Sequence, residues 1–411
     1  MALVRLTVSV ILLSPLHFNR LTPISSVAFY VVWMVSLLNI FPCRTFGAGA
    51  PQTAKVAAIY AYSGACAEAN ASSVRGVRMA VKEINAAGGL LGKHLELLEF
   101  DNLSTPIGAK LAALKAVHSD VVAIIGAAFS THSIAVAKVA QHYGIPMITN
   151  ISTNPMVTRI GDYIFRVCYN DQVQGDVMGR FARKELKVKT VVTIFDVTSD
   201  YSMGLCRTFE KAFLDAGGTS LAQLSYQSQQ PNFHNLVDQI RMIQPDAFFL
   251  AGHGESARII QEAVRKGVTS IPLGGDGWDD GSFYKLGGDK IKSGYYTTHW
   301  CPSSESGLSR RFVARYGRAG AILAPTALAY DAVNLLADAI LRAGSFQRAK
   351  IRQALAQTKD FQGITGAIAF DAFGDPVKNV VIMKILDGRT TYLKQVQPGA
   401  EDKTLTLHSP E

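Results

Sequence analysis

VVAIIGAAFSTHSIAVAKVAQHYGIPMIT, residues Val121 to Thr149, is the stretch that decides the fold. Val121 to Gly126 is apolar throughout, as a strand buried on both faces of a parallel sheet must be. A Gly-Ala-Ala-Phe-Ser-Thr loop follows, then a helical pattern from Ser133 to Tyr143 and a second apolar run from Pro146 to Thr149. Strand, helix, strand in that order is a βαβ unit, with parallel strands and the helix crossing over one face.

The same rhythm extends in both directions. Upstream, VAAIYA (Val56 to Ala61) reads as a strand. Val74, Val77, Ala80, Val81 and Ile84 then recur at three- and four-residue steps, which predicts a helix from about Ser72 to Ala87. Gly88-Gly89 stops it, as glycine caps do. A strand over Leu95 to Phe100 and a helix over Ile107 to His118 complete this half. Past Phe165-Arg166 the pattern starts over, with helices at Val173–Lys184, Met203–Ala216, Phe233–Ile243 and Ser256–Lys266. Strands at Thr190–Phe195, Thr219–Leu224, Ala247–Ala251 and Pro272–Gly274 alternate with them, so the second half repeats the first architecture.

After Tyr295 come helical patterns near Leu308–Tyr316, Pro325–Arg342 and Arg348–Gln357, then strands near Ile368–Phe370 and Val380–Ile385. They are too few for a third domain, and are expected to return to the first, so that several crossing strands form a hinge. The expected division is a signal segment over residues 1–50, a first lobe over 51–169, a second lobe over 170–297, a return to the first lobe over 298–378, and a final crossover strand and tail over 379–411. The fold class is therefore α/β, two doubly wound parallel-sheet lobes joined by a multi-strand hinge.

Residues 1–50 read differently from the rest. They contain Arg5, Arg20 and Arg44, no acidic residue, and apolar stretches at Leu6–Leu16 and Val27–Ile40. The second stretch suits a signal-peptide core and is shorter than the roughly 20 residues a spanning helix needs. Ala48-Gly49-Ala50 supplies a small-x-small cleavage site, so export with cleavage after Ala50 is expected. Cys43 lacks the small residues that precede a lipid-modified cysteine. Taking away those three arginines reduces the 41 basic residues to 38, against 32 acidic ones. That mild, scattered excess, without basic blocks carrying interleaved aromatics, argues against nucleic-acid binding. Cys66, Cys168, Cys206 and Cys301 have wide, irregular spacings that fit no zinc pattern, and sequence cannot choose among their pairings.

The signatures of chemistry are missing. Gly92-Lys93 is followed by His94, so no phosphate loop forms, and there is no GxGxxG after a strand, no GxSxG elbow and no HExxH. No catalytic residue, cofactor or metal is expected. What remains are hydroxyl and acidic residues at the carboxyl ends of the strands, where open α/β sheets bind ligands. Four loops qualify: Tyr62-Ser63-Gly64, Phe129-Ser130-Thr131, Ile151-Ser152-Thr153 and Asp276-Gly277-Trp278. Ser130 beside the free amides of a helix start is placed for an anion, unless it or Thr131 merely caps that helix. Asp276 is placed for a ligand ammonium, or is a solvated turn carboxylate.

Ser63-Gly64, GVRMAVKEINAAGGLLG (Gly76 to Gly92), GAAFST, YGIPMITNISTNP (Tyr143 to Pro155), PDAFFLAGHGE and PLGGDGWDD together resemble the periplasmic leucine/isoleucine/valine-type binding proteins of ABC transporters. The likeness runs from about Lys55 to Leu386. It implies the periplasmic-binding-protein-like type I fold and a solute-binding protein that is not an enzyme. Such a protein binds an amino acid, works as a monomer in the periplasm and docks on a permease of the inner membrane. By the same resemblance, Ser130 and Thr153 hold the ligand carboxylate, the carbonyl of Ile151 takes the ammonium, and Tyr201 and Asp276 close over the ligand from the second lobe. Asp276 stands where the best-known members have glutamate, His253 where they have a pocket tyrosine, and Ala69 where a bulky aromatic can sit. Ser63 and Thr131 are the remaining candidate ligand contacts. A disulfide of some members is absent, since Ser104 and Phe129 occupy its positions. A ligand-sensing receptor for an amide or small carboxylate is the alternative use of the same clamp.

Overall fold

The computed structural model describes residues 52–304, 306–317 and 322–399. The expected signal segment, residues 1–50, and Cys43 within it, lie outside the described residues, as does the tail from residue 400.

The first half folds as β1 (Thr53–Tyr60), α1 (Ala67–Ala86), β2 (His94–Asp101), α2 (Pro106–His118), β3 (Ala123–Gly126), α3 (Ser130–His142), β4 (Met147–Thr149) and β5 (Ile164–Arg166). Its five strands are all parallel, in the order β2-β1-β3-β4-β5. Successive β1 side chains serve two cores. Val56, Ala58 and Tyr60 pack on the α1 side, and Ala57 and Ile59 face α2 and α3. This two-sided burial is why the strands carry no polar alternation. Gly126 ends β3 at φ 127, and a Cβ there would stand 2.2 Å from the carbonyl oxygen of Ile59. Only glycine lets β3 and β1 approach so closely at this point.

The second half runs α4 (Asp171–Lys184), β6 (Thr190–Asp196), α5 (Asp200–Asp215), β7 (Thr219–Tyr226), α6 (His234–Ile243), β8 (Ala247–Ala251), α7 (Gly254–Arg265), β9 (Ile271–Gly274), α8 (Gly281–Lys285) and β10 (Ser293–Thr298). The chain continues through α9 (Gly307–Tyr316), α10 (Ala324–Ala343), α11 (Arg348–Ala356), β11 (Phe361–Gly363), β12 (Gly366–Ile368), β13 (Val380–Leu386) and β14 (Arg389–Val396). The second sheet reads β14-β13-β10-β9-β8-β6-β7, and its parallel part repeats the strand order of the first. Phe248 and Leu250 face one of its cores, and Ala247, Phe249 and Ala251 the other.

The segment after β10 divides between the sheets. Helix α10 returns to the first, its Leu328, Ala329, Ala332 and Leu336 sharing a core with Val74, Val77 and Val81 of α1. The two helices meet at Gly76, where a Cβ would come within 2.2 Å of the Thr326 carbonyl oxygen. The strands expected to complete the first lobe do not join its sheet. β12 pairs with β11 in a two-stranded ribbon, and β13 pairs antiparallel with β10 in the second sheet. Val380 and Ile382 are buried in one core of that sheet and Val381 and Ile385 in the other, and this two-sided apolar burial holds β13 there. Cys168, Cys206 and Cys301 are buried, Cys66 is half-buried, and all four are free thiols.

The chain passes between the sheets after β5, after β10 and before β13. At this junction lies Arg166, fully buried, whose Nε donates to Asp375 Oδ1 at 2.6 Å. Its other nitrogens donate to the carbonyls of Ser152 (2.6 Å) and Asn154 (3.0 Å) and to Thr158 Oγ1 (2.9 Å). Nearby, Lys378 Nζ donates to Val167 O at 3.1 Å and to Thr365 Oγ1. Removing one partner of a buried pair strands the other charge. Asp375→Ala is therefore expected to cost about 3–5 kcal/mol in urea unfolding. Asp176→Ala, which breaks the exposed Arg180 pair, is expected to cost less than about 1 kcal/mol.

Candidate functional site

A cavity opens between the carboxyl ends of the two sheets, lined from the first lobe by Ala69, Ser73, Phe129, Ser130 and Ile151, and from the second by Tyr201, His253, Asp276, Asp279 and Asp280. Each lobe contributes the loops at the point where its strand order reverses, between β1 and β3 and between β6 and β8. There the following helices leave on opposite faces and a crevice forms between them.

On the first-lobe wall, α3 starts at Ser130, three residues earlier than its sequence pattern indicates. Phe129 occupies the cap position with no side-chain cap, so side chains leave the first amides of α3 uncovered. Ser130 Oγ accepts from Asn154 N–H at 3.2 Å, which leaves the hydroxyl proton to donate. Ser73 Oγ likewise accepts from Asn150 Nδ2 at 2.8 Å. This wall contains donors and no acid. Ile151 lines the cavity beside them.

The second-lobe wall is the opposite. Asp276 is 4% exposed; its Oδ1 accepts from Gln174 Nε2 at 2.9 Å and its Oδ2 from His299 Nε2 at 3.0 Å. Burial pushes this carboxyl up, but the hydrogen bonds and charge of His299, with Gln174 and Tyr201, outweigh it and hold the acid below its ordinary range. Tyr201, in the first turn of α5, accepts from Gly277 N–H at 3.1 Å. Asp279 accepts from Thr298 Oγ1 at 2.6 Å, and burial pushes its carboxyl up to about 7. Asp280 caps α8 through Oδ1, which accepts from Phe283 N–H at 2.8 Å. His253 stacks face to face on Phe129 across the seam, ring centroids 4.1 Å apart. Burial works against its charge, yet Asp280, Glu255 and Asp276 raise its pKa above the usual imidazole value.

The structure thus brings Ser130, Ile151, Tyr201, His253 and Asp276 to one cavity. Thr131 is at the seam instead, its hydroxyl accepting from Asp200 N–H at 3.0 Å. The Thr153 hydroxyl is buried below the cavity without a hydrogen bond, and its carbonyl accepts from Asp171 N–H at 2.9 Å. Ser63 stands apart on an exposed loop, its hydroxyl donating to Asp101 Oδ2 at 2.5 Å while its amide donates to Asp101 Oδ1. That carboxylate ties the loop down away from the cavity. Two further contacts cross the seam: Asn154 Nδ2 to Asp200 O at 2.7 Å and Lys285 Nζ to Glu68 at 2.8 Å.

Sequence reasoning missed Ser73, Asp279, Asp280, Gln174 and His299. Gln174 had a legible signal: it falls in line with Val177, Met178 and Phe181 on the apolar face of α4, where an amide must have buried partners. It finds Asp276, Asp171 and Thr297.

A family model described as periplasmic binding protein matches residues 53–390. A leucine-, isoleucine-, valine-, threonine- and alanine-binding protein of Pseudomonas aeruginosa is 26% identical over 332 residues, 79% of this chain and 88% of that protein. The crystal structure of the leucine binding protein LivK of Thermotoga maritima superposes with a TM-score of 0.80 at 33% identity, covering 84% of this chain and 99% of that one. The branched-chain amino acid transporter substrate-binding protein LivJ of Streptococcus pneumoniae, in complex with isoleucine, also gives 0.80, at 29% identity over 84% of this chain and all of that one.

Behind Asp276, the carboxyl of Asp171 is fully buried and pushed up to about 7, first by burial and then by the charge of Asp276. Between the ordinary carboxylate pKa near 4 and 7, the unfolded chain has lost this proton while the folded chain keeps it. Stability from this group is therefore present at low pH and is lost as pH rises to about 7. Asp171→Asn, which mimics the protonated form, is expected to be close to wild type at pH 4 and progressively more stable than wild type up to pH 7, with a constant advantage above. Urea unfolding of both proteins across that range checks the sign.

Proposed function

The chain belongs to the periplasmic binding protein family, and from that premise we propose that it binds an α-amino acid between its lobes and delivers it to a membrane permease of an ABC importer. The carrying observation is the polarity of the cavity: uncapped helix amides and a free hydroxyl proton on the first-lobe wall, buried carboxylates on the other. A zwitterion matches that division, with its carboxylate on Ser130 and the start of α3, and its ammonium between the Ile151 carbonyl and Asp276. Tyr201 and His253 close over it from the second lobe. Thr131 contributes by holding the seam, and Thr153 by supporting Asp171 from below. The protein acts as a monomer in this reading. The family is one of binding proteins, not enzymes, and the ligand leaves unchanged.

The lobes divide at the three crossings, with the first lobe formed by residues 51–169 and 298–378 and the second by 170–297 and the strands beyond 379. We place the mature protein in the periplasm, exported by residues 1–50. N-terminal sequencing of protein recovered from a periplasmic fraction is expected to begin at Pro51, and a chain that still begins at Met1 would contradict cleavage.

Titration calorimetry with the common amino acids is expected to find a one-to-one ligand, recovered intact, that adds about 2.7 kcal/mol of stability at a hundred times its Kd. Ser130→Ala and Asp276→Asn are each expected to weaken it roughly ten- to a hundred-fold. Affinity is expected to rise with pH through 7, because deprotonated Asp171 and Asp279 attract the ammonium and their protonated forms do not. Unchanged affinity in both variants would place the ligand elsewhere.

A further inference from the structure

The cavity lining contains a carboxylate beyond Asp276, to which the ligand ammonium is assigned. Asp280 is 4% exposed and lines the cavity, and its two oxygens differ. Oδ1 accepts from Phe283 N–H at 2.8 Å and from Ser282 Oγ at 2.6 Å. Oδ2 is buried and accepts no hydrogen bond. His253 Nδ1 forms an ion pair with it at 3.5 Å, too long for a hydrogen bond, with its ring stacked on Phe129. Lys285, on the next helical turn, is turned away to Glu68.

A buried carboxylate oxygen facing hydrocarbon is costly, because it loses its water and gains no donor. A leucine, isoleucine or valine side chain at this end of the cavity would impose that condition. Ala69 and Pro325 in the lining have no side-chain donor, and a donor on the ligand side chain would supply one. The rest of the wall agrees: Asp279 adds a second carboxyl beside the first, and the first lobe brings no cation to the lining.

We propose that the cavity selects an amino acid whose side chain carries a hydrogen-bond donor, and that Asp280 Oδ2 receives it. This rests on the amino-acid reading above and narrows it. Asp280 is a specificity residue: it discriminates among amino acids while the zwitterion is held by Ser130 and Asp276.

The test uses pairs of nearly equal shape, threonine against valine and asparagine against leucine, titrated into the full-length mature chain by calorimetry. The donor-bearing member is expected to bind at least fivefold tighter in one pair. Asp280→Asn keeps an oxygen for Phe283 N–H and replaces Oδ2 by a donor. It is expected to reduce that preference below fivefold. A preference below fivefold in both pairs for the wild type overturns the proposal without need of any variant, as does a preference that survives Asp280→Asn. Binding of valine and leucine alone refutes only this inference. Failure of every amino acid to bind refutes the broader reading with it.

Discussion

A single guanidinium fixes both the junction and the floor of the site. Arg166 ends the last strand of the first sheet and is fully buried, so each of its donors must find an acceptor. It finds them in the carbonyls of Ser152 and Asn154, in Thr158 and in Asp375. The first two belong to the turn after β4, which carries Ile151 and Thr153. Asp375 belongs to the third passage between the lobes and also receives Asn170 Nδ2 at 3.0 Å, just where the first passage begins. The turn after β4, which lines the cavity at Ile151, and the third passage between the lobes are thus hydrogen-bonded to one side chain.

The division of charge across the seam follows from the same economy of partners. The start of α3, at the carboxyl end of β3, presents amides that no side chain caps and that an anion can satisfy. The second lobe answers with acids held by buried hydrogen-bond donors. Gln174 reaches both Asp171 and Asp276 with one amide nitrogen, at 2.9 Å each. His299, whose pKa burial lowers, gives Asp276 a hydrogen bond from Nε2. Asp276 stays ionised while Asp171 behind it is pushed toward protonation, so the charge is concentrated where a ligand can touch it.

Much of this could be read in the chain, for a reason visible in particular residues. Strands buried on both faces, such as Ala247 to Ala251, must be apolar throughout, and amphipathic helices must repeat near 3.6 residues. Those constraints made the alternation and the duplication plain. β10 escaped notice because SGYYTT buries Thr297 and Thr298 through hydrogen bonds to Gln174 and Asp279, not through apolar surface. β14, largely exposed along RTTYLKQV, has no continuous apolar face to detect. Loop chemistry nominated Ser63 and Ser130 alike. Only tertiary structure separates them, since Asp101 engages the first and Asn154 orients the second. Contacts between residues far apart in sequence, such as Thr131 with Asp200, leave no local trace.

The seam contacts have a consequence for selectivity. Thr131 to Asp200, Asn154 to Asp200 and Glu68 to Lys285 join protein to protein outside the cavity lining. Whatever free energy they add on closure is added equally for every occupant, so it deepens all affinities together and cancels from any ratio between them. Such a clamp can be tightened or slackened at its rim, tuning residence time against ease of release, without altering which molecule it prefers.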